Sequence, residues 1–355
     1  MREGTFRNAS GCAIGAIFHK DRTKENGKRI AHSMSYMRER SNGLGGGFVG
    51  YGIYPQYQKQ YALHLFFDDT LSKQQFEAYI KKDFIVVMQE EIMIAKCKEI
   101  TDAPIIWRYY VDVKEGIVDQ DEAIVALLFH VNVNISGAYL FSCGKDMGVF
   151  KGVGYPEELA EFYCLDQYEA YSWIAHGRYP TNTPGWWAGA HPFAMLDFAL
   201  VHNGEISSYD TNRRYIEMFN YPCSLLTDTE VITYILDFLI RKKHCSFEEC
   251  AHILTAPFYS EIEQMEPQQK RYYTMLRRNL GSLLICGPFS IILGFENGIA
   301  ALNDRLKLRS LMIAEKNECV YMASEECAIR AVENELDRIF SLPGSTPYIA
   351  KCKEE

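Results

Sequence analysis

The sequence predicts an α+β fold of stacked antiparallel sheets with helices on the outside, and three observations carry that prediction. From residue 137 onward short β-rich segments recur, punctuated by Gly-Pro and Asn-Gly pairs of the kind that turn a chain back on itself. Between them, helical signatures occur at 156–163, 213–219, 228–242 and 267–279. The chain has 355 residues, 48% of them hydrophobic, enough to bury one large core or two ordinary ones.

Taken in order, the apolar run at 12–18, rich in small residues, reads as a buried strand. Residues 30–37 read as a helix leading into Ser41-Asn42-Gly43-Leu44-Gly45-Gly46-Gly47, a glycine-rich turn. That turn lacks the spacing and the Lys-Ser/Thr ending of a phosphate-binding loop. Residues 61–134 form a middle block expected to be an inserted α+β segment with its own small core. It comprises a strand at 61–67, a helix seeded by Ser72 and running to Asp83, a strand at 105–113 and another at 123–133. Its residues carry no obvious chemistry. Further strands are expected at 138–143, 171–175 and 198–202, and 289–295 pairs with 299–302 through Asn297-Gly298.

Composition excludes several classes of function. The formal net charge is -9 and the basic residues are dispersed, which gives no electrostatic footprint for nucleic acid. Residues 1–10 are charged and lack an apolar core, so they do not read as a secretory signal. The most apolar stretch, 282–295, is broken by Gly287 and Pro288 and is shorter than the roughly 18 residues a membrane span needs. The expected location is cytoplasmic. Eleven cysteines occur singly, with no Cys-x-x-Cys pair, which argues against a zinc ribbon or an iron–sulfur site.

Four segments carry candidate chemistry: Gly11-Cys12-Ala13-Ile14-Gly15, His176-Gly177-Arg178-Tyr179-Pro180-Thr181, His202-Asn203-Gly204-Glu205 and Thr227-Asp228-Thr229-Glu230. Amide hydrolysis by a thiol needs a nucleophile, a base, oxyanion donors and groups that hold the substrate. Cys12 would gain a built-in base if residues 1–11 were removed, because an α-amine titrates near pH 8, close to a thiol. The Asn203 carboxamide and the Gly204 backbone N–H, expected in a turn after a strand, can converge on one oxyanion. Arg178 offers a planar fork that matches an α-carboxylate, and Asp228 can take an α-ammonium. Singly, each has a plainer meaning: Cys12 a packed small hydrophobe, His202 a structural hydrogen-bonder, Arg178 an ion-pair residue, Asp228 a helix cap, Asn203-Gly204 a hairpin turn. Their conjunction and order favour the catalytic reading.

With these motifs in this order, the chain resembles the class II, N-terminal nucleophile, glutamine amidotransferases, and most closely the amidotransferase domain of glutamate synthase. The resemblance implies a four-layer αββα fold over residues 12–355, with 61–134 as an insertion and 1–11 as a leader that is removed to expose Cys12. It places the nucleophile on Cys12, the oxyanion hole on Asn203 and Gly204, glutamine carboxylate binding on Arg178 and ammonium binding on Asp228. Thr181 joins the substrate-binding set, and Arg40 matches an arginine that supports the nucleophile's surroundings. Two further stretches are similar to glutamate synthase segments. One is Thr181-Asn182-Thr183-Pro184-Gly185-Trp186-Trp187 with Ala190-His191-Pro192-Phe193; the other is Leu302-Asn303-Asp304-Arg305-Leu306-Lys307-Leu308-Arg309 with Ala323-Ser324-Glu325. Ala13, Ser41-Asn42 and Pro180 depart from the usual pattern without removing a chemical group.

Such domains deliver ammonia to an acceptor site through protein, and no acceptor domain is recognisable in this chain. The resemblance therefore implies a stand-alone subunit without its own cofactor, docking on a separate synthase subunit that carries FMN and an iron–sulfur cluster and uses 2-oxoglutarate. The 61–134 insertion is a candidate docking surface. Other readings are a synthase with a different acceptor and a non-catalytic glutamine sensor. A purine-pathway phosphoribosyl amidotransferase is disfavoured by the lack of a phosphoribosyl-diphosphate loop.

Overall fold

A computed structural model describes residues 11–180 and 184–353; residues 1–10 of the expected leader and Thr181 lie outside them. Two antiparallel sheets lie face to face. The first has seven strands in the order Arg338–Ser341, Met312–Lys316, Cys319–Ala323, Ala13–His19, Ser172–Gly177, Gly46–Tyr51, Met147–Gly152. The second has five, in the order Phe193–Met195, Phe198–Gly204, Phe289–Phe295, Gly298–Asn303, Tyr348–Lys351. Helices Lys28–Ser35 and Pro156–Phe162 cover the outer face of the first sheet, and helix Asp228–Asp237 covers the second. The layers therefore run helix, sheet, sheet, helix, the αββα order implied by the resemblance.

Strand Ala13–His19 lies at the centre because it has neighbours on both edges and apolar layers on both faces. Ala13 pairs with Gly177 and Gly15 with Ala323; Ala13, Ile14, Ala16, Ile17 and Phe18 are all buried. Small residues let layers approach, most visibly at the end of the glycine-rich segment. A Cβ on Gly47 would lie 2.4 Å from Phe150 O and 2.6 Å from His191 O. That crowding is why Gly46 and Gly47 belong to strand Gly46–Tyr51 rather than to the expected turn.

The middle block departs from expectation in three ways. Residues expected as a strand at 123–133 lie in helix Gln120–Asn134. Asp119 caps it by accepting the Glu122 N–H at 3.0 Å, and Ile124, Leu127, Leu128 and Val131 bury one face at helical spacing. The run of Ile, Val and Leu looks strand-like locally, but a 15-residue length and an acidic first turn suit a helix. Strand Phe84–Glu91, absent from the expectations, forms the edge of a four-stranded sheet completed by Ile105–Val113, Tyr61–Phe67 and Ala138–Ser142. That sheet has no core of its own. Ala62 and Phe66 pack into the cluster of Phe48 and Trp173, whereas Leu63, Leu65 and Phe67 join the cluster of Leu200, Val231 and Ile291. A strand buried on both faces binds the block to the body of the fold.

Candidate active site

The chain enters its central strand at Cys12, and the neighbouring strand leaves at Arg178, so sheet register alone brings the two segments together. Tyr179 N–H donates to Cys12 Sγ at 3.4 Å. Arg40 Nε donates to Cys12 O at 3.1 Å while its Nη1 donates to Glu325 Oε1 at 2.7 Å. Arg40 thus grips the backbone of the candidate nucleophile and is not part of the cavity wall. Burial pushes the Cys12 thiol up, and the nearby Asp228 charge adds to this; the Tyr179 N–H and the Arg178 and Arg309 guanidiniums pull the other way.

Cys12 opens on a cavity of about 450 Å³ whose wall includes Arg178, His202, Gly204, Tyr209 and Asp228. Arg178 is buried, and burial lowers its pKa from the usual arginine range. Asp228 starts helix Asp228–Asp237, but Thr227 is the cap, accepting the Thr229 N–H at 3.1 Å. The cap leaves Asp228 available to other partners: Ile206 N–H donates to Oδ2 at 3.4 Å, and His202 Nδ1 stands 3.4 Å from Oδ1. Burial pushes the Asp228 carboxyl up, yet the His202 imidazole, the Ile206 N–H and the Thr229 hydroxyl outweigh it and hold the group below the ordinary carboxylate range. An anion and a guanidinium on one cavity wall suit a small zwitterion. A groove of about 400 Å³ between helix Thr70–Ile80 and strand Phe84–Glu91 contains no cysteine or histidine.

Asn203 and Gly204 are the last two residues of strand Phe198–Gly204, paired with Ser290 and Phe289, and not a turn as expected. Alternation along the strand separates their roles. His202 and Gly204 line the cavity, whereas Asn203 is fully buried and its Nδ2 lies 3.2 Å from Ser324 Oγ. A Cβ on Gly204 would lie 2.1 Å from Pro288 O, so the close pass of these backbones requires glycine.

A histidine network that the motifs do not reveal adjoins the cavity. His176 Nε2 lies 2.9 Å from His202 O and 3.0 Å from His191 Nδ1, and His191 and His202 both face the cavity. Burial pushes His176 down to about 3 and His191 well below the ordinary imidazole range, so these two rings are neutral near pH 7. The motifs likewise leave the role of Glu230 unread: it accepts N–H groups from Ser224 and Leu225 at 3.0 Å and so holds the loop leading to the cavity wall at Leu226 and Thr227. Motif membership singled out His176, His191 and Glu230, but only packing gives them partners.

Lys151 is buried behind this site, its amine donating to Ala188 O at 2.8 Å. Burial lowers its pKa to about 7. Between pH 7 and an ordinary lysine pKa near 10.4, the unfolded chain therefore holds a proton that the folded chain has released, so stability rises with pH. Urea unfolding should show the native protein gaining about 2 kcal/mol from pH 7 to pH 9 relative to Lys151→Met. Parallel curves would mean that the native ammonium is not destabilised.

Among the described residues, no helix is long and apolar enough to cross a membrane, and no group of His, Cys, Asp and Glu could hold a metal ion. The family model for class-II glutamine amidotransferases matches residues 86–345. The chain belongs to that family. This amidotransferase is 43% identical over 349 residues to an uncharacterised protein of Archaeoglobus fulgidus, covering 96% of this chain and 92% of the relative. It is 25% identical over 336 residues to a protein of Methanothermobacter thermautotrophicus named "Putative glutamine amidotransferase", covering 90% and 93%. Among solved structures, the glutamine phosphoribosylpyrophosphate amidotransferase from B. subtilis, complexed with ADP and GMP, matches with a TM-score of 0.46 and 14% identity. That match spans 96% of this chain and about half (49%) of the other. Glutamine is the expected substrate of the family.

Proposed function

We propose that this amidotransferase hydrolyses glutamine through a Cys12 thioester and delivers the ammonia to a separate synthase subunit of the glutamate synthase type. The carrying observation is that Cys12, Arg178 and Asp228 meet on one cavity. Only a free amino acid presents both charges to that Arg–Asp pair, so the pair selects glutamine over a glutaminyl side chain in a polypeptide. The Cys12 sulfur attacks the side-chain carbonyl carbon, and its proton passes to the α-amine that cleavage after residue 11 creates. The carbonyl oxygen becomes an oxyanion held by Asn203 Nδ2 and Gly204 N–H. Collapse breaks the C–N bond, and the amine returns its proton to the departing ammonia. Water then attacks the thioester, glutamate leaves and the thiol is restored.

The synthase assignment rests on the likeness of the segments at 181–193 and 302–325 to glutamate synthase segments. FMN and an iron–sulfur cluster are assigned to the partner, and no step in this chain uses them. The location proposed is the cytoplasm. One observation favours a second reading for the uncleaved chain: burial pushes the Cys12 thiol up, and without the α-amine nothing nearby offsets it fully. In that form the protein is a glutamine binder rather than a glutaminase.

Intact mass before and after incubation with 6-diazo-5-oxonorleucine tests the proposal. Loss of residues 1–11 with one adduct on Cys12 is expected. An intact leader and no adduct, with glutamine still bound in calorimetry, would replace catalysis with sensing. Copurification with a flavin-containing subunit, or its failure, decides the partner.

A further inference from the structure

Asn203 has an unresolved demand that Ser324 can answer. The Asn203 side chain is fully buried; its Nδ2 lies 3.2 Å from Ser324 Oγ, and its Oδ1 has no partner. Ser324 is itself buried and held on three sides. Its N–H donates to Ile14 O at 2.9 Å, its Oγ accepts the Ile14 N–H at 3.1 Å, and its carbonyl accepts from Ser310 Oγ at 2.7 Å. Ile14 stands two residues beyond Cys12, so one hydroxyl joins the strand that follows the nucleophile to the candidate oxyanion donor.

The two ends of a carboxamide are nearly equal in size, and hydrogen bonding decides which way it faces. With Nδ2 towards Ser324, the hydroxyl oxygen accepts two N–H donors while its own proton has no acceptor and Asn203 Oδ1 has no donor. Two complementary groups then stand buried and unsatisfied, each costing roughly 1–3 kcal/mol. With the amide turned over, Ser324 Oγ–H donates to Oδ1 and both are satisfied. The one group left without a partner is Nδ2, a buried donor that lacks an acceptor until an oxyanion forms. Donors oriented before the charge appears are what stabilise it most.

We propose that Ser324 is the positioning residue that holds the Asn203 carboxamide with Nδ2 turned to the oxyanion. The proposal rests on the glutaminase reading above, which makes Asn203 an oxyanion donor; the turned-over amide itself rests on the contact with Ser324 and the unpartnered Oδ1. The adjacent Glu325 accepts from Arg40, which in turn holds Cys12 O. Residues 324 and 325 thus steady the oxyanion donor and the nucleophile from one short segment, which gives the Ala323-Ser324-Glu325 motif a physical reason.

Two experiments test it. In glutaminase kinetics of the mature protein, Ser324→Ala lowers kcat roughly 10- to 100-fold with KM within about twofold. Added to Asn203→Ala it changes kcat by less than about twofold, because its effect passes through Asn203. Ser324→Thr, which keeps the hydroxyl, retains most of the activity of the native protein. An equal loss from Ser324→Ala in both backgrounds would overturn the proposal and leave Ser324 a backbone brace for Ile14. The second measurement is a neutron structure of the unsubstituted protein, which needs neither turnover nor a variant that folds. A deuterium on Ser324 Oγ aimed at Asn203 Oδ1 is expected; the deuteria of Nδ2 aimed at Ser324 would overturn the proposal. If the protein hydrolyses no glutamine, the glutaminase reading fails while the neutron map still decides the orientation.

Discussion

Replacing Cys12 with alanine should abolish glutamine hydrolysis, with kcat falling by roughly 10⁴-fold or more, because no neighbouring group can form the covalent intermediate. The fold should survive. Cys12 precedes strand Ala13–His19, and the substitution removes one half-buried sulfur whose contact with Tyr179 N–H is 3.4 Å long. Stability should therefore change by no more than about 1 kcal/mol. Labelling by 6-diazo-5-oxonorleucine should vanish at the same time, and peptide mapping separates Cys12 from the exposed Cys327. Glutamate release by the alanine variant at anything near the native rate would remove Cys12 from the mechanism. Serine at the same position tests the thiol specifically, since a hydroxyl is a much weaker nucleophile than a thiol near pH 8.

The second large effect is on recognition. Arg178→Lys keeps the charge but replaces the planar fork with a point, and Asp228→Asn keeps the shape but removes the anion. Each should raise KM for glutamine about 10- to 100-fold, the loss of one charge-assisted contact of roughly 1.5–3 kcal/mol. Asp228→Asn has a sharper signature: glutaramate, which lacks the α-amine, should compete better relative to glutamine in the variant than in the native protein. Because His202, Ile206 and Thr229 hold the Asp228 carboxyl below the ordinary range, the ammonium contact should persist as pH falls to about 5. An unchanged KM and unchanged selectivity in both variants would place the glutamine headgroup elsewhere. Asp228 also faces His202, so a fall in kcat alongside the KM effect would report the position of that ring.

Residue type and local pattern in the sequence determined the α+β class of stacked antiparallel sheets, the buried strand that follows Cys12, and the helices at Pro156–Phe162, Asp228–Asp237 and Pro267–Leu280, and the family resemblance added the αββα layering. They also brought Cys12, Arg178, Gly204 and Asp228 forward as one group. Each of these depends on short-range features: an apolar run, a capping threonine, a glycine where backbones pass closely. Tertiary structure alone decided the rest, because the interactions join residues far apart in the chain. Helix Gln120–Asn134 passes locally for a strand until its buried face is seen. Strands Met312–Lys316, Cys319–Ala323 and Tyr348–Lys351 exist as ladder partners, and a ladder has no signature in one strand alone. Arg40 reaches Cys12 O across 28 positions, and Ser324 reaches Asn203 across 121 and Ile14 across 310. A hydroxyl or a guanidinium carries no mark of its partner in the sequence; the register of two sheets supplies it.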